Sequence, residues 1–421
     1  MKFLIAPWGD PSGWKEVIYV FNGSKVKSKT SLKILQKVIK PDRTIIIGLD
    51  TLAESGKNYR EVKVNAREKI KKYANEFGLR NYEILIAPGI GKFQNGVFQG
   101  YALDYYFYII TKISLELLGN FGNYENLSIH LDLTHGINYS TILTYRAIKE
   151  ISGIFSIFKE VRFRAYNADP SLPRIADKLS INVIEDTIPI PTPFAEKLDQ
   201  KRPLEPISLS PKERKELFKD KLKSIREINS SEVSAFIGAL YNGLPLALFS
   251  FYPKKNRLKE IILAVLNSYE EYVEVKERDK LEVVRKTKFG KGFKVYVFAY
   301  VIATLLENLK LISSQKREVT LNEIENLKEN LFKFDERFKV RIDKDIYTFK
   351  ENLEGKEIKD WRMYNEILGR NIGEPDARNF LAHSGFEGNV VEVKKENGKL
   401  LLRYRQDKLR TIMNLCQRGL K

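Results

Sequence analysis

Two hydrophobic rhythms divide the chain. Up to residue 190, short β-branched runs alternate with longer stretches whose apolar residues recur at helical spacing. The runs are KFLIAP, TIIIGLD, YEILIAPG, SIHLDLTHG, VRFRAYNA and INVIEDTI; SLKILQKVIK, REKIKKYANEF, FQGYALDYYFYIITKISLELL and NYSTILTYRAIKEI lie between them. Continuous apolar strands are buried on both faces, and helices between them put those strands in a mainly parallel sheet. The expectation is an α/β, Rossmann-like domain over 1–190. Pro189, Pro191, Pro193, Pro203, Pro206 and Pro211 then crowd one stretch, which reads as an extended linker over 191–212.

From 213 to 421 the pattern turns helical, in PKERKELFKDKLKSI, SSEVSAFIGALYNG, RLKEIILAVLNSYEEYVE, KVYVFAYVIATLLENLKLI, LNEIENLKENLFKFDERF and DWRMYNEILG. Near its end NVVEVKKENGKLLLRYR alternates on both sides of Asn397-Gly398, which predicts a small β-hairpin at about 389–405 in an otherwise all-α domain. The stretch around 275–297 is assigned no element. Val295 to Leu306, the longest apolar run, is shorter than the ~20 residues of a membrane span.

Composition narrows the classes. The 421 residues are 43% hydrophobic and 30% charged, which excludes wholesale disorder and fibrous architecture. Lys and Arg number 72 against 54 Asp and Glu, a surplus of +18 that fits a polyanion partner, nucleic acid foremost. Cys416 alone allows neither an intramolecular disulfide nor a thiolate zinc cluster and fits a reducing, cytoplasmic setting. With His130, His135 and His383 as the only histidines, no His-rich metal centre is expected, although carboxylate-bound Mg²⁺ stays open. The N-terminal apolar run is too short for a signal peptide, and no membrane partner is expected.

The sharpest candidate for chemistry is Arg378-Asn379-Phe380-Leu381-Ala382-His383, introduced by Pro375-Asp376 and closed by Gly385 as a short helix. Asn379 and His383 share a face, whereas Arg378 sits ~140° round and reaches across with its long side chain. An imidazole moves protons near neutrality and a guanidinium grips phosphate oxygens in pairs. Metal-free RNA cleavage by a 2′-hydroxyl needs both, a proton carrier and a cation for the developing charge. The plain alternative is a hydrogen-bonded histidine at a helix end and a salt-bridged arginine.

Ligands of open α/β sheets bind outside the carboxyl ends of strands, near a switch point in strand order. Trp8, Gly9, Asp10 and Trp14 follow the first strand, and Asp132, Thr134, His135, Gly136 and Asn138 leave a later one. Glycines there permit close backbone approach, helix-start amides and Thr134 can take phosphate, and the two indoles can stack on a base. A third loop, with Gly91 and Lys92, can touch the same ligand; it fits neither a Walker A loop nor G-x-G-x-x-G, which disfavours an NTPase or dinucleotide oxidoreductase. Basic residues cluster late, with Arg403, Arg405, Lys408 and Arg410 proposed as an RNA-tracking set and Lys286, Lys288, Lys291 and Lys294 as a second group.

The R-N-x-x-x-H motif of RNFLAH is that of HEPN ribonucleases. Together with IAPWGDPSGW and LDLTHGINY upstream, the chain resembles, over nearly its whole length, the CRISPR-associated CARF–HEPN endoribonucleases of type III systems. The resemblance implies an N-terminal CARF domain binding a cyclic oligoadenylate, with cyclic tetra-adenylate the expected activator. It also implies a HEPN domain cleaving single-stranded RNA without metal, as a homodimer whose two motifs meet in one composite site. On that reading Arg378 and His383 are the catalytic pair, Asn379 orients them or the substrate, and His135 can align a ligand 2′-hydroxyl for slow ring cleavage. His130 is expected to be a packed residue. The rival reading is a non-catalytic nucleotide sensor whose basic helical domain binds RNA or a protein; a second rival is a nuclease indifferent to oligoadenylate.

Overall fold

The computed structural model describes residues 1–123, 125–170 and 178–421. They form two compact units that interleave along the chain. The first holds Met1–Ile190, Leu204–Lys221 and Ala264–Gly290; the second holds Pro191–Pro203, Leu222–Leu263 and Lys291–Lys421.

The first unit is built on an eight-stranded sheet. Across it the strands run Ser24–Ser28, Val17–Phe21, Lys178–Thr187, Val161–Ala168, Leu127–Asp132, Lys2–Pro7, Arg43–Leu49 and Tyr82–Ala87. The last five are mutually parallel, as their continuous burial predicted, and the others add antiparallel pairs at one side. Lys178–Thr187 adds one short parallel pairing to Val17–Phe21. Among the parallel strands, Arg43–Leu49 and Tyr82–Ala87 follow Lys2–Pro7 on one side, and Leu127–Asp132 and Val161–Ala168 come later on the other, so Lys2–Pro7 and Leu127–Asp132 form the switch point. Leu4, Ala6, Ile46 and Ile86 fill the centre under helices Leu32–Ile39 and Tyr59–Glu76.

Within this unit Leu281–Arg285 pairs with Val273–Glu277 and, in parallel, with Gly96–Gln99, which in turn pairs with Gly91–Lys92. The stretch assigned no element is therefore largely a β-hairpin, and the Gly91–Lys92 loop is the outer strand of its sheet. Arg285 at the end of that hairpin is buried and forms an ion pair with buried Asp50, which follows the strand Arg43–Leu49. Its guanidinium also donates to the Gly89 and Gln99 carbonyls at 3.0 and 3.2 Å, while Asp50 accepts from the Gly89 amide and the Tyr59 hydroxyl at 2.7 and 2.8 Å. Burial pushes the Asp50 carboxyl up and the Arg285 charge opposes it, so each of the two groups needs the other.

The second unit packs helices Ser230–Asn242, Pro245–Ser250, Leu321–Asn330, Glu336–Leu353 and Leu409–Cys416 with Gly292–Asn308, which is buried nearly all round. The expected hairpin is present as Val391–Glu396 against Lys399–Tyr404, turning at Asn397 and Gly398 with φ of 49° and 74°. Val319–Thr320 and Arg362–Met363 extend it to four strands.

The continuous boundary expected at 191–212 does not match this division. Leu204–Pro206 is a strand paired with Thr287–Phe289 in the first unit. Pro191–Pro203 is bound to the second unit by Lys197 N–H to the Lys421 carbonyl (3.1 Å) and Leu198 N–H to the Ser234 hydroxyl (2.9 Å). Prolines mark extended backbone correctly, but Phe194, Leu198, Leu204 and Leu209 between them are buried, while Ile190, Thr192 and the stretch 199–202 stay exposed. The run PKERKELFKDKLKSI also breaks, leaving an α-helix only over Pro211–Glu216.

Arg285→Met strands Asp50 as a buried, unpaired charge, and the expected cost is about 3–5 kcal/mol. It reads out as a lower urea midpoint for the first unit's transition; an unchanged midpoint would show that the ion pair is dispensable.

Candidate functional site

Asp376 starts the motif helix Ala377–Ala382 by accepting the Asn379 amide at 2.7 Å. Phe380, fully buried, anchors the helix with its ring 6.2 Å from that of Tyr404. Arg378, Asn379 and His383 are left exposed. After the helix, Ser384 and Gly385 take positive φ of 49° and 82°. That turn sends Ser384 into the core while His383 stays outside, its side chain 55% exposed.

His383 Nδ1 lies 3.1 Å from Oδ1 of Asp345, on helix Glu336–Leu353. Burial pushes the Asp345 carboxyl up, opposed by its hydrogen bonds with His383 and Ser384 and by the charge of Arg341. Arg341 Nε donates to the Ser384 hydroxyl at 3.1 Å, and its other end donates to the Asn242 and Gly243 carbonyls. Among the described residues the Asn379 side chain shows no bond to His383; Asp345 occupies the orienting position. Upstream, buried Glu387 accepts from the Asn389 amide, and Asn389 Oδ1 accepts from Gly373 N–H at 2.8 Å, holding the loop that leads into the helix.

At the switch point the two predicted loops meet. Gly9 N–H donates to the His135 carbonyl at 2.8 Å. A Cβ on Gly9 would stand 2.5 Å from Ile137, and one on Gly136 would stand 2.2 Å from Thr141. These glycines therefore serve the approach of protein to protein, not of backbone to ligand. Asp132 is buried; its carboxylate accepts from the Ser31 hydroxyl at 2.7 Å and the Thr134 amide at 3.1 Å. It shapes the loop instead of facing a ligand.

Trp8, expected to stack on a base, is 1% exposed and packs edge-on to Trp14 at 4.9 Å. Trp14 in turn stacks on His135 at 3.9 Å and on Phe77 at 5.9 Å. His135 Nε2 accepts from the Ser31 amide at 3.3 Å, so the Tyr19 hydroxyl 3.2 Å away donates to the same atom. With its lone pair occupied, His135 has no free base for ring cleavage. Burial lowers its pKa to about 4, against the opposing charge of Asp132. Asn138 and Lys92 are exposed and remain open to a ligand, whereas exposed Asp10 accepts from the Ser12 amide (3.0 Å) and pairs with Lys69 (3.1 Å), and the hydroxyl of half-buried Thr134 accepts from the Ala168 amide at 3.1 Å. Ile90 N–H donates to the Tyr139 hydroxyl at 3.0 Å, which ties the Gly91–Lys92 loop to the helix that starts at Asn138.

The basic set divides as well. Arg403 bonds Glu392 at 2.6 Å beneath Trp361, Arg405 bonds Asp407 at 2.7 Å, and Lys408 bonds Glu374 at 2.8 Å. Arg410 is exposed and has no ion pair among the described residues. Lys286, Lys288 and Lys294 are paired with Glu213, Glu205 and Glu196. Among the described residues no three His, Cys, Asp or Glu side chains cluster as metal ligands, and no helix is long and apolar enough to cross a membrane.

Residues 3–170 match the CARF domain of the CRISPR system endoribonuclease Csx1, and residues 313–406 match its HEPN domain. The chain belongs to the Csx1 endoribonuclease family. The strand-end loops fall inside the first match and the Arg378–His383 helix inside the second. A relative, the CRISPR system endoribonuclease Csx1 of Methanocaldococcus jannaschii, is 34% identical over 435 residues, spanning 95% of this chain and 89% of its own. A solved structure, Enterococcus italicus Csm6 bound to cyclic hexa-2′-fluoro-hexa-dAMP, aligns at 9% identity over 100% of this chain and 94% of that one. Its TM-score of 0.28 is too low for a comparison of geometry.

Sequence reasoning missed Asp345, Arg341, Ser31 and Tyr19. Only Asp345 left a signal, as a carboxylate within the buried stripe Ile342, Ile346, Phe349 and Leu353.

His130 is a packed residue, bonded at Nδ1 to Tyr166 (2.7 Å) and at Nε2 to Ser128 (2.9 Å), and burial lowers its pKa to about 4 as well. Both histidines bind fewer protons folded than unfolded between about pH 4 and the ordinary value near 6.5. Their contribution to stability is therefore complete above about pH 6.5 and is lost as pH falls towards 4. The Tm of the first unit should drop across that window, and the drop should shrink in His135→Gln; equal slopes would remove the imidazole as the cause.

Proposed function

We propose that this Csx1-family chain is a single-strand endoribonuclease of type III CRISPR defence, acting in the cytoplasm and switched on by a cyclic oligoadenylate. The expected activator is cyclic tetra-adenylate, held at the CARF strand ends. The observation that carries the nuclease reading is the motif helix, which leaves Arg378 and His383 exposed while Nδ1 of His383 is engaged from behind.

His383 Nε2 removes the proton from a ribose 2′-hydroxyl, O2′ attacks phosphorus, and the P–O5′ bond breaks. Arg378 stabilises the charge that builds on the phosphoryl oxygens. The products are a 2′,3′-cyclic phosphate and a 5′-hydroxyl, and no step uses a metal. The leaving O5′ needs a proton, and the second unit contains a single histidine. Two chains meeting in a homodimer supply the second imidazole. Arg378 and Arg410 are the exposed cations best placed in sequence to meet the RNA backbone. Asn138 and Lys92 are the open positions for the activator, with Thr134 and Asp10 beside them.

The test is cleavage of single-stranded RNA in EDTA, with and without cyclic tetra-adenylate, comparing the native chain with His383→Ala and Arg378→Ala. Cleavage should require the activator and should fall by about 100-fold or more in either variant. Equal activity in folded His383→Ala would sink the nuclease assignment. Activity indifferent to cyclic tetra- and hexa-adenylate would sink the activation, and ligand-dependent binding of RNA that stays intact would favour the non-catalytic sensor.

A further inference from the structure

Resting on the nuclease reading above, we infer that Asp345 is a positioning residue for the reaction: its carboxylate holds His383 with the proton on Nδ1, leaving the Nε2 lone pair directed at substrate.

A carboxylate oxygen only accepts, so an imidazole nitrogen 3.1 Å from Asp345 Oδ1 is the one that carries hydrogen. The neutral ring then has its lone pair on Nε2, on a side chain that is 55% exposed, whereas Asp345 behind it is 9% exposed. The carboxylate is itself buried. It projects from the buried face of an 18-residue helix, beside Ile342, Ile346 and Phe349. Arg341, one turn earlier on that helix, clamps Ser384 at 3.1 Å and the end of helix Ser230–Asn242. Ser384, adjacent to His383, is thereby tied to the Asp345 helix through a turn of positive φ at Ser384 and Gly385.

A chain with one imidazole per site must use it as base in one copy and as acid in the other. The same bond serves both, because a carboxylate on Nδ1 orients the neutral ring and stabilises the imidazolium. The charged and titratable groups around Asp345 are His383 from the segment after the motif helix, Arg341 from its own helix and Tyr364 from the short helix Tyr364–Ile367. Asp335, at the start of the Asp345 helix, acts on Arg341. No second carboxylate faces His383 among the described residues.

The experiment uses the full chain with cyclic tetra-adenylate and compares Asp345→Asn, Asp345→Glu and His383→Ala. Asp345→Asn should lose about 100-fold or more in kcat with KM changed by less than about threefold, and Asp345→Glu should recover part of the loss. Independently of activity, ¹⁵N-histidine spectra of the native chain should show His383 protonated at Nδ1. Three histidines make that assignable, with His383→Ala identifying the signal. A folded Asp345→Asn with native kcat and KM overturns the inference. If that variant does not fold, native His383 protonated at Nε2 overturns it equally. Retained cleavage in His383→Ala would instead refute the nuclease reading, so the two failures are distinguishable.

Discussion

Two parallel neighbouring strands, Lys2–Pro7 and Leu127–Asp132, end side by side, and the loops that leave them share one narrow space. The bond from the Gly9 amide to the His135 carbonyl closes that space, with no room for a side chain on either glycine. The rest of the loop follows from it. Once the His135 backbone is fixed, its ring lies between Trp14 and the donors Ser31 and Tyr19, and Asp132 is left to hold Ser31 and the Thr134 amide. A buried polar group without a partner costs about 1–3 kcal/mol, so these groups are satisfied within the protein.

How much was legible depends on sequence distance. Strands such as TIIIGLD and the hairpin at Asn397-Gly398 declared themselves because periodicity and turn chemistry act over a few residues. Val273–Glu277 and Leu281–Arg285 alternate just as clearly, in VEVKERDKLEVVR, yet the surrounding helical pattern hid them. The strand that secures them, Gly96–Gln99, lies far away in sequence. The same holds at the sites. RNFLAH is local and was readable, whereas Asp345 is 38 residues from His383 and only the folded backbone brings them together. Tryptophans beside glycines suggested a stacking platform, but a sequence does not say whether an indole faces outward or inward. Trp8 faces inward.

Charge shows the same division between content and pairing. The surplus of 72 basic over 54 acidic residues guarantees at least 18 cations without a carboxylate of their own. It does not say which ones. The runs that look most basic in sequence are where acidic partners from elsewhere have been recruited: Glu392 and Glu374 meet Arg403 and Lys408, and Glu213, Glu205 and Glu196 meet Lys286, Lys288 and Lys294. Each such pair occupies a cation that an anionic partner would have to win from a carboxylate. Isolated residues such as Arg378 and Arg410 face no such competition.

His135 and His383 show why residue identity alone does not assign proton transfer. Both sit beside an aspartate in a loop that opens or closes a helix. At His135 the acceptor nitrogen already takes two donors and the ring is stacked under an indole. To act as a base it would have to give up the Ser31 and Tyr19 bonds and displace Trp14. At His383 the nitrogen beside Asp345 is held by a carboxylate that can only accept, on a side chain that is 55% exposed. General base catalysis requires a lone pair within reach of the proton to be taken. The arrangement at His383 meets that requirement without rearrangement, and the one at His135 is suited to holding a loop in shape.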